Sequence, residues 1–126
     1  LHNAGVSIQL GAHGQREGLG AHWDLWSMVQ GGMPPLEALH CATLGGAKYL
    51  GYDREIGSLE VGKLADLVVM DRDPLTDIRN SESVSRVMVN GRLYDAARMD
   101  EIAPRALPRG SFWWEAEQAE LRNVAH

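Results

Sequence analysis

Ile56-Gly57-Ser58-Leu59-Glu60-Val61-Gly62-Lys63-Leu64-Ala65-Asp66-Leu67-Val68-Val69-Met70-Asp71 is the stretch whose pattern decides how the rest of the chain is read. Its first half is punctuated by Gly57 and Gly62, which turn the backbone at little steric cost, and by the polar Lys63 and Asp66. Its second half, residues 64–70, is an apolar, β-branched run interrupted only by Asp66, and Leu67-Val68-Val69 within it predicts a strand covered on both faces. Asp71-Arg72-Asp73-Pro74 ends that run, because proline has no N–H to give to a ladder. Residues 84–89 and 92–94 flank Asn90-Gly91, two positions that tolerate positive φ, and so predict a tight hairpin. Residues 53–95 are therefore expected to form a small β unit.

Upstream the pattern is different. Val6-Ser7-Ile8-Gln9-Leu10 alternates between flanking glycines and predicts a short strand. The following loop, residues 11–20, carries Gly11, Gly14, Gly18 and Gly20, so its backbone can approach a ligand closely. A helix is expected from about Ala21, with His22, Leu25, Trp26 and Val29 forming one stripe toward a core until Gly31-Gly32. Pro34-Pro35 opens a second helix reaching Leu50, with Leu36, Leu39, Thr43 and Ala47 on its inner side. Gly45-Gly46 weakens that helix or admits another element close to it. Residues 1–52 thus form a first part. In the third, residues 96–126, Pro104 and Pro108 break regularity, and a closing helix over residues 112–123 is expected, docked by Trp113 and Trp114.

Composition limits the function classes. A chain of 126 residues with 44% hydrophobic and 23% charged residues can bury a core, and a net charge of −5 gives no field for nucleic acid. One cysteine, Cys41, excludes an internal disulfide and a cysteine zinc cluster, and is read as a small core residue. No apolar run approaches the ~20 residues of a membrane helix, and the start has no signal-peptide pattern. Leu1 in place of an initiator Met leads to the expectation that the natural N-terminus lies upstream, which leaves cytoplasmic and periplasmic locations open.

The order strand, glycine-rich loop, helix pair, small β unit is that of the end of a TIM-barrel enzyme with a flanking β-sandwich. Ala4-Gly5-Val6 with Leu10-Gly11, Gly31-Gly32-Met33 with Pro35-Leu36-Glu37-Ala38-Leu39, and Ala42-Thr43 resemble the last barrel strand and following helices of the amidohydrolase superfamily. The 56–71 stretch, continued by Pro74-Leu75, resembles that family's passage from barrel to sandwich, and Val87-Met88-Val89-Asn90-Gly91-Arg92 its last sandwich hairpin. Imidazolonepropionase-like and Tol-associated members are the nearest in pattern. The resemblance implies an α/β fold: the C-terminal fragment of a (β/α)8 barrel plus part of its sandwich. Most of the barrel is then expected outside this chain.

The resemblance also implies a metal-dependent hydrolase acting on C–N bonds of amides or cyclic amides in a small-molecule substrate. It implies a divalent metal, zinc by preference, with most ligands outside this chain, and an isolated fragment that is inactive; the open strand edge and apolar faces of such a fragment would pair with other chains, so a homo-oligomer is expected. Where the family carries a metal-binding, proton-accepting aspartate, His13 stands here, in Gly11-Ala12-His13-Gly14. Imidazole can ligate zinc or act as a base near neutrality, but it lacks the carboxylate's charge. A mononuclear site, a His-based variant and a chain that has lost activity all remain open. His13 is the candidate catalytic and metal residue; His22, Gln15 and Arg16 are candidate substrate-binding residues. The bland alternatives are a loop histidine bonded to backbone, a satisfied core His22, and a solvated charge cluster at Gln15-Arg16-Glu17. His40 is read as structural, Asp66 and Asp71 as turn residues, and the loop glycines do not make a phosphate motif. The alternative function is a non-catalytic binding or assembly module derived from the same fold.

Overall fold

Glycine and proline set the limits of the helices. In the computed structural model, which describes residues 1–14, 16 and 18–115, a 3-10 turn at His2–Ala4 precedes helix α1, Leu19–Gln30. Gly31 ends α1 by donating its N–H to the Ser27 carbonyl at 2.9 Å, and Gly32 turns the chain at φ 96°. Helix α2, Pro35–His40, starts on proline, where the missing N–H has no helical partner to lose. It runs on through a π-helical segment, Cys41–Gly45, into α3, Gly46–Leu50, and Gly51 closes it in the left-handed conformation. The helix expected over residues 35–50 is thus present, with its irregularity at the glycine pair.

The reason for that irregularity is close packing on two sides. A Cβ on Gly45 would stand 3.2 Å from Oε1 of Gln9, so the segment at residues 6–10 lies directly against the helix there. A Cβ on Gly57 would stand 2.7 Å from the Ala47 Cβ and 2.9 Å from the Leu44 Cα. The Thr43 hydroxyl also donates back to the Leu39 carbonyl at 2.8 Å, a bond that loosens a helical turn.

The core joins the two parts of the chain. Leu25, Met33, Ala38, Cys41 and Ile78 are buried together, with Ile8, Leu10, Trp26 and Leu39 packed around them. Small residues at 38 and 41 let α2 approach α1. The inner face of α2 is therefore Ala38 and Cys41, and the stripe expected through Leu36 and Thr43 is corrected: Leu36 is 63% exposed and Thr43 is exposed. The π segment adds a residue to its turn, which carries the buried face from Cys41 to Ala47.

Residues 67–103 form one antiparallel sheet in sequential order, β1 (Leu67–Met70), β2 (Val84–Val89), β3 (Arg92–Asp95) and β4 (Glu101–Ala103). The hairpin between β2 and β3 closes on Asn90 and Gly91, at φ 49° and 76°, with Val89 paired to Arg92. Asp66 fixes the turn to the start of β1 by accepting the Asn90 N–H at 2.6 Å. Strand β4 was not legible in the mixed residues 96–110; beside the ladder to β3, Glu101, 3% exposed, pairs with Arg92 of β3 and with Arg105 just past β4.

Three expectations differ from the structure. β1 is one of the two edge strands and Val68 is 51% exposed, so it is not covered on both faces; the apolar run reports strand propensity and not double burial. Residues 6–10 form no ladder with any strand among the described residues, although Ile8 and Leu10 point alternately to the core as strand residues do. Trp113 and Trp114 do not dock on the body: they are 74% and 44% exposed, and Trp114 stacks on Phe112 with ring centroids 4.3 Å apart. Most of the expected closing helix lies outside the described residues.

Candidate functional site

The glycine-rich loop is held by the helix that follows it. At its entry the Gly11 N–H donates to Oδ2 of Asp24, one turn inside α1, at 3.1 Å. At its exit the Arg16 carbonyl accepts the Gly20 N–H at 2.8 Å. Gly20 is buried because the loop folds back over it, and a Cβ there would stand 3.2 Å from the Ala12 Cβ and 3.7 Å from the Arg16 Cβ. Between these two ties the backbone turns through His13 at φ 55° and Gly14 at φ 70°. Histidine is among the few side-chain-bearing residues that visit this region with any frequency.

This geometry presents His13 to solvent at the tip of the turn, with Arg16 also exposed two residues past Gly14. Gln15 and Glu17 lie outside the described residues. An exposed imidazole can exchange protons or donate one nitrogen to a metal. Among the described residues no three His, Cys, Asp or Glu side chains converge, so this chain's described residues do not by themselves fit a closed metal site.

His22 meets a residue far away in the sequence. Its Nδ1 lies 3.0 Å from Oγ of Ser81, which is fully buried, and the Trp26 indole N–H donates to the same oxygen at 3.1 Å and to the Ile78 carbonyl at 3.2 Å. A buried hydroxyl needs partners, and His22 and Trp26 supply them. This contact joins α1 to the 3-10 helix Ile78–Glu82 and is the one expected of a satisfied core histidine. His40 lines a groove of about 300 Å³ with His2, Glu37 and Gln9, and these side chains form no metal-binding cluster of three among the described residues.

Two residues of the site's scaffold escaped sequence reasoning. Asp24 lies off the apolar stripe of α1, and its only visible signal was a carboxylate one turn into a helix behind a loop rich in free N–H groups. Ser81 gave no signal at all, since its partners are 55 and 59 residues away.

Comparison with known proteins agrees with this architecture. Residues 3–94 match the sequence model of the Amidohydrolase family. The 5-methylthioadenosine/S-adenosylhomocysteine deaminase of Thermoanaerobacter pseudethanolicus is 41% identical over 73 residues, 48% of this chain and 17% of that protein. Guanine deaminase of Escherichia coli is 53% identical over 53 residues, 40% of this chain and 12% of that protein. In structure the chain is similar to molinate hydrolase, with a TM-score of 0.65 at 35% identity over 82% of this chain and 22% of that one. The chain therefore spans less than a quarter of the length of these relatives.

Proposed function

Since this chain belongs to the amidohydrolase family, we propose that it is the C-terminal part of a metal-dependent hydrolase that cleaves C–N bonds of amides or cyclic amides in small molecules. In this reading residues 1–52 are the last strand of a (β/α)8 barrel, its loop and the following helices; residues 53–95 belong to a flanking β-sandwich, and residues 96–126 are an extension. One observation carries it: residues 6–10, with Ile8 and Leu10 packed on the core, lead directly into a loop that presents His13 and is tied back to α1. That is the strand, loop, helix order by which barrel enzymes build a site at the C-terminal ends of their strands.

A divalent metal, zinc by preference, would supply Lewis-acid activation of water when bound. Within this chain His13 is the candidate to donate one ligand nitrogen or to take a proton, and the other ligands would come from residues outside it. Arg16 and Gln15 are proposed to orient substrate from the same loop, and His22 supports it only through its contact with Ser81. The names of the relatives, two deaminases and a hydrolase, support C–N hydrolysis as the reaction class.

The test is release of amine or ammonia by the full-length protein from a panel of dipeptides, N-acyl amino acids and aminopurines, with and without a chelator, in wild type and His13→Ala. Loss of turnover on chelation and in the variant is expected. Turnover indifferent to both defeats the reading.

A second reading, a binding or assembly module, is favoured by the histidine where the family's aspartate is expected. It predicts a homo-oligomer without turnover on any panel member, and sedimentation as a monomer at micromolar concentration removes it.

A further inference from the structure

The loop that carries His13 turns on residues whose backbone is weakly restrained. Its interior turns, at His13, Gly14 and Gly18, all have positive φ, and glycine-rich segments of this kind have many accessible conformations. Among the described residues two ties to α1 hold it: Gly11 to the Asp24 carboxylate at the entry and Arg16 to Gly20 at the exit. The exit tie is backbone to backbone. The entry tie is the only one of the two that depends on a side chain, and a carboxylate accepting an amide N–H is among the stronger kinds of hydrogen bond.

Helix α1 is itself fixed from another face. His22 and Trp26 meet the buried Ser81, so the helix is clamped to the 3-10 helix that leads into β2. A chain of contacts therefore runs from the β unit through α1 and Asp24 to the first residue of the loop.

We infer that Asp24 is the positioning residue of the His13 loop, holding the Gly11 amide so that the histidine two residues later keeps a fixed place. This rests on the reading of that loop as part of a hydrolase site. Asp24 touches no reacting group in this proposal and acts through Gly11 alone.

The test is native-state amide hydrogen exchange in the full chain at Gly11, with Val29 of α1 as internal reference, for wild type, Asp24→Ala and Asp24→Asn. Loss of one charge-assisted bond predicts that Asp24→Ala speeds Gly11 exchange by about tenfold or more. Val29 should stay within about twofold, because the helix remains folded. Asp24→Asn keeps an acceptor oxygen and should recover most of the protection. Unchanged exchange at Gly11 overturns the inference, as does equal acceleration of Gly11 and Val29, which would make Asp24 a helix residue only. With a substrate from the panel, Asp24→Ala should lower kcat more than it raises KM, with Asn restoring turnover; fast Gly11 exchange beside wild-type kcat overturns the positioning role. A wild type that hydrolyses nothing defeats the hydrolase reading, and the Gly11 exchange rates still decide whether Asp24 is the anchor.

Discussion

Gly57→Ala and Gly62→Ala form a pair of variants that separates backbone strain from packing. The two glycines stand at almost the same dihedral, φ 93° and 96°, so a side chain at either one meets nearly the same conformational penalty. For a non-glycine residue that penalty is about 1–2 kcal/mol. Their surroundings differ completely. Around Gly62 nothing lies within 4 Å of a new Cβ, whereas at Gly57 the Cβ would meet Ala47 Cβ at 2.7 Å, Leu44 Cα at 2.9 Å and the Thr43 carbonyl at 3.2 Å. Two of these three atoms are backbone of the α2–α3 helix and cannot rotate away, and overpacking of this kind costs about 1–3 kcal/mol. Gly62→Ala should therefore lose about 1–2 kcal/mol and Gly57→Ala about 2–5 kcal/mol. Urea unfolding of the full chain measures both, as midpoint times slope. Ala47→Gly in the Gly57→Ala background removes the nearest contact and should return part of the difference. Equal losses for the two single variants would refute the claim that the 57 turn is seated against the π segment.

Three further outcomes are expected. Ser81→Ala removes the partner shared by the His22 ring and the Trp26 indole, and should cost about 1–3 kcal/mol in the same unfolding assay; a loss under about 0.5 kcal/mol, the range of ordinary surface changes, contradicts the clamp. Hydrogen bonds from Arg92 and then Arg105 hold the Glu101 carboxyl down at about 2 from an ordinary 4.5. A carboxyl lowered in the folded state adds stability above its ordinary value and loses it as pH falls from about 4.5 toward 2, so wild type should weaken over that window more steeply than Glu101→Gln. Some slope should remain in the variant, because Arg109 holds Glu115 near 2 as well. Burial, and after it the charge of Glu37, pushes the Cys41 thiol up, and the side chain is 5% exposed. A thiol reagent should accordingly label Cys41 more than about tenfold more slowly in the folded chain than in urea, and rapid native labelling would contradict its place in the core.

Local signals were read where local chemistry sets the geometry. Asn90-Gly91 specified its hairpin because only a few residue types tolerate positive φ at both positions, and the structure has both. Pro35 and Gly51 bounded a helix for the same kind of reason, and the glycine pair at 45 and 46 did mark a point of close approach. Burial was read less well. Leu36 carries the apolar signal but Ala38 and Cys41 carry the core, since close helix packing selects small side chains over large ones. Strand β4 was invisible because it is only three residues long, and the ion cluster around Glu101 that backs its pairing with β3 leaves no periodic pattern. At the candidate site the sequence supplied His13 and the flexible loop, while Asp24 and the Ser81 contacts emerged only from the fold.

The family of this chain, its α/β character, its hairpin and the residue at the tip of its loop were all fixed by the amino-acid order alone, because each depends on short-range sterics or on a contiguous motif. What the tertiary structure decided is which groups meet across long separations. His22 meets Ser81, and Asp24 ties the loop at Gly11. A hydrogen bond between residues 59 apart leaves no trace in local pattern, and the need of a buried hydroxyl for partners is felt only once the chain has closed around it.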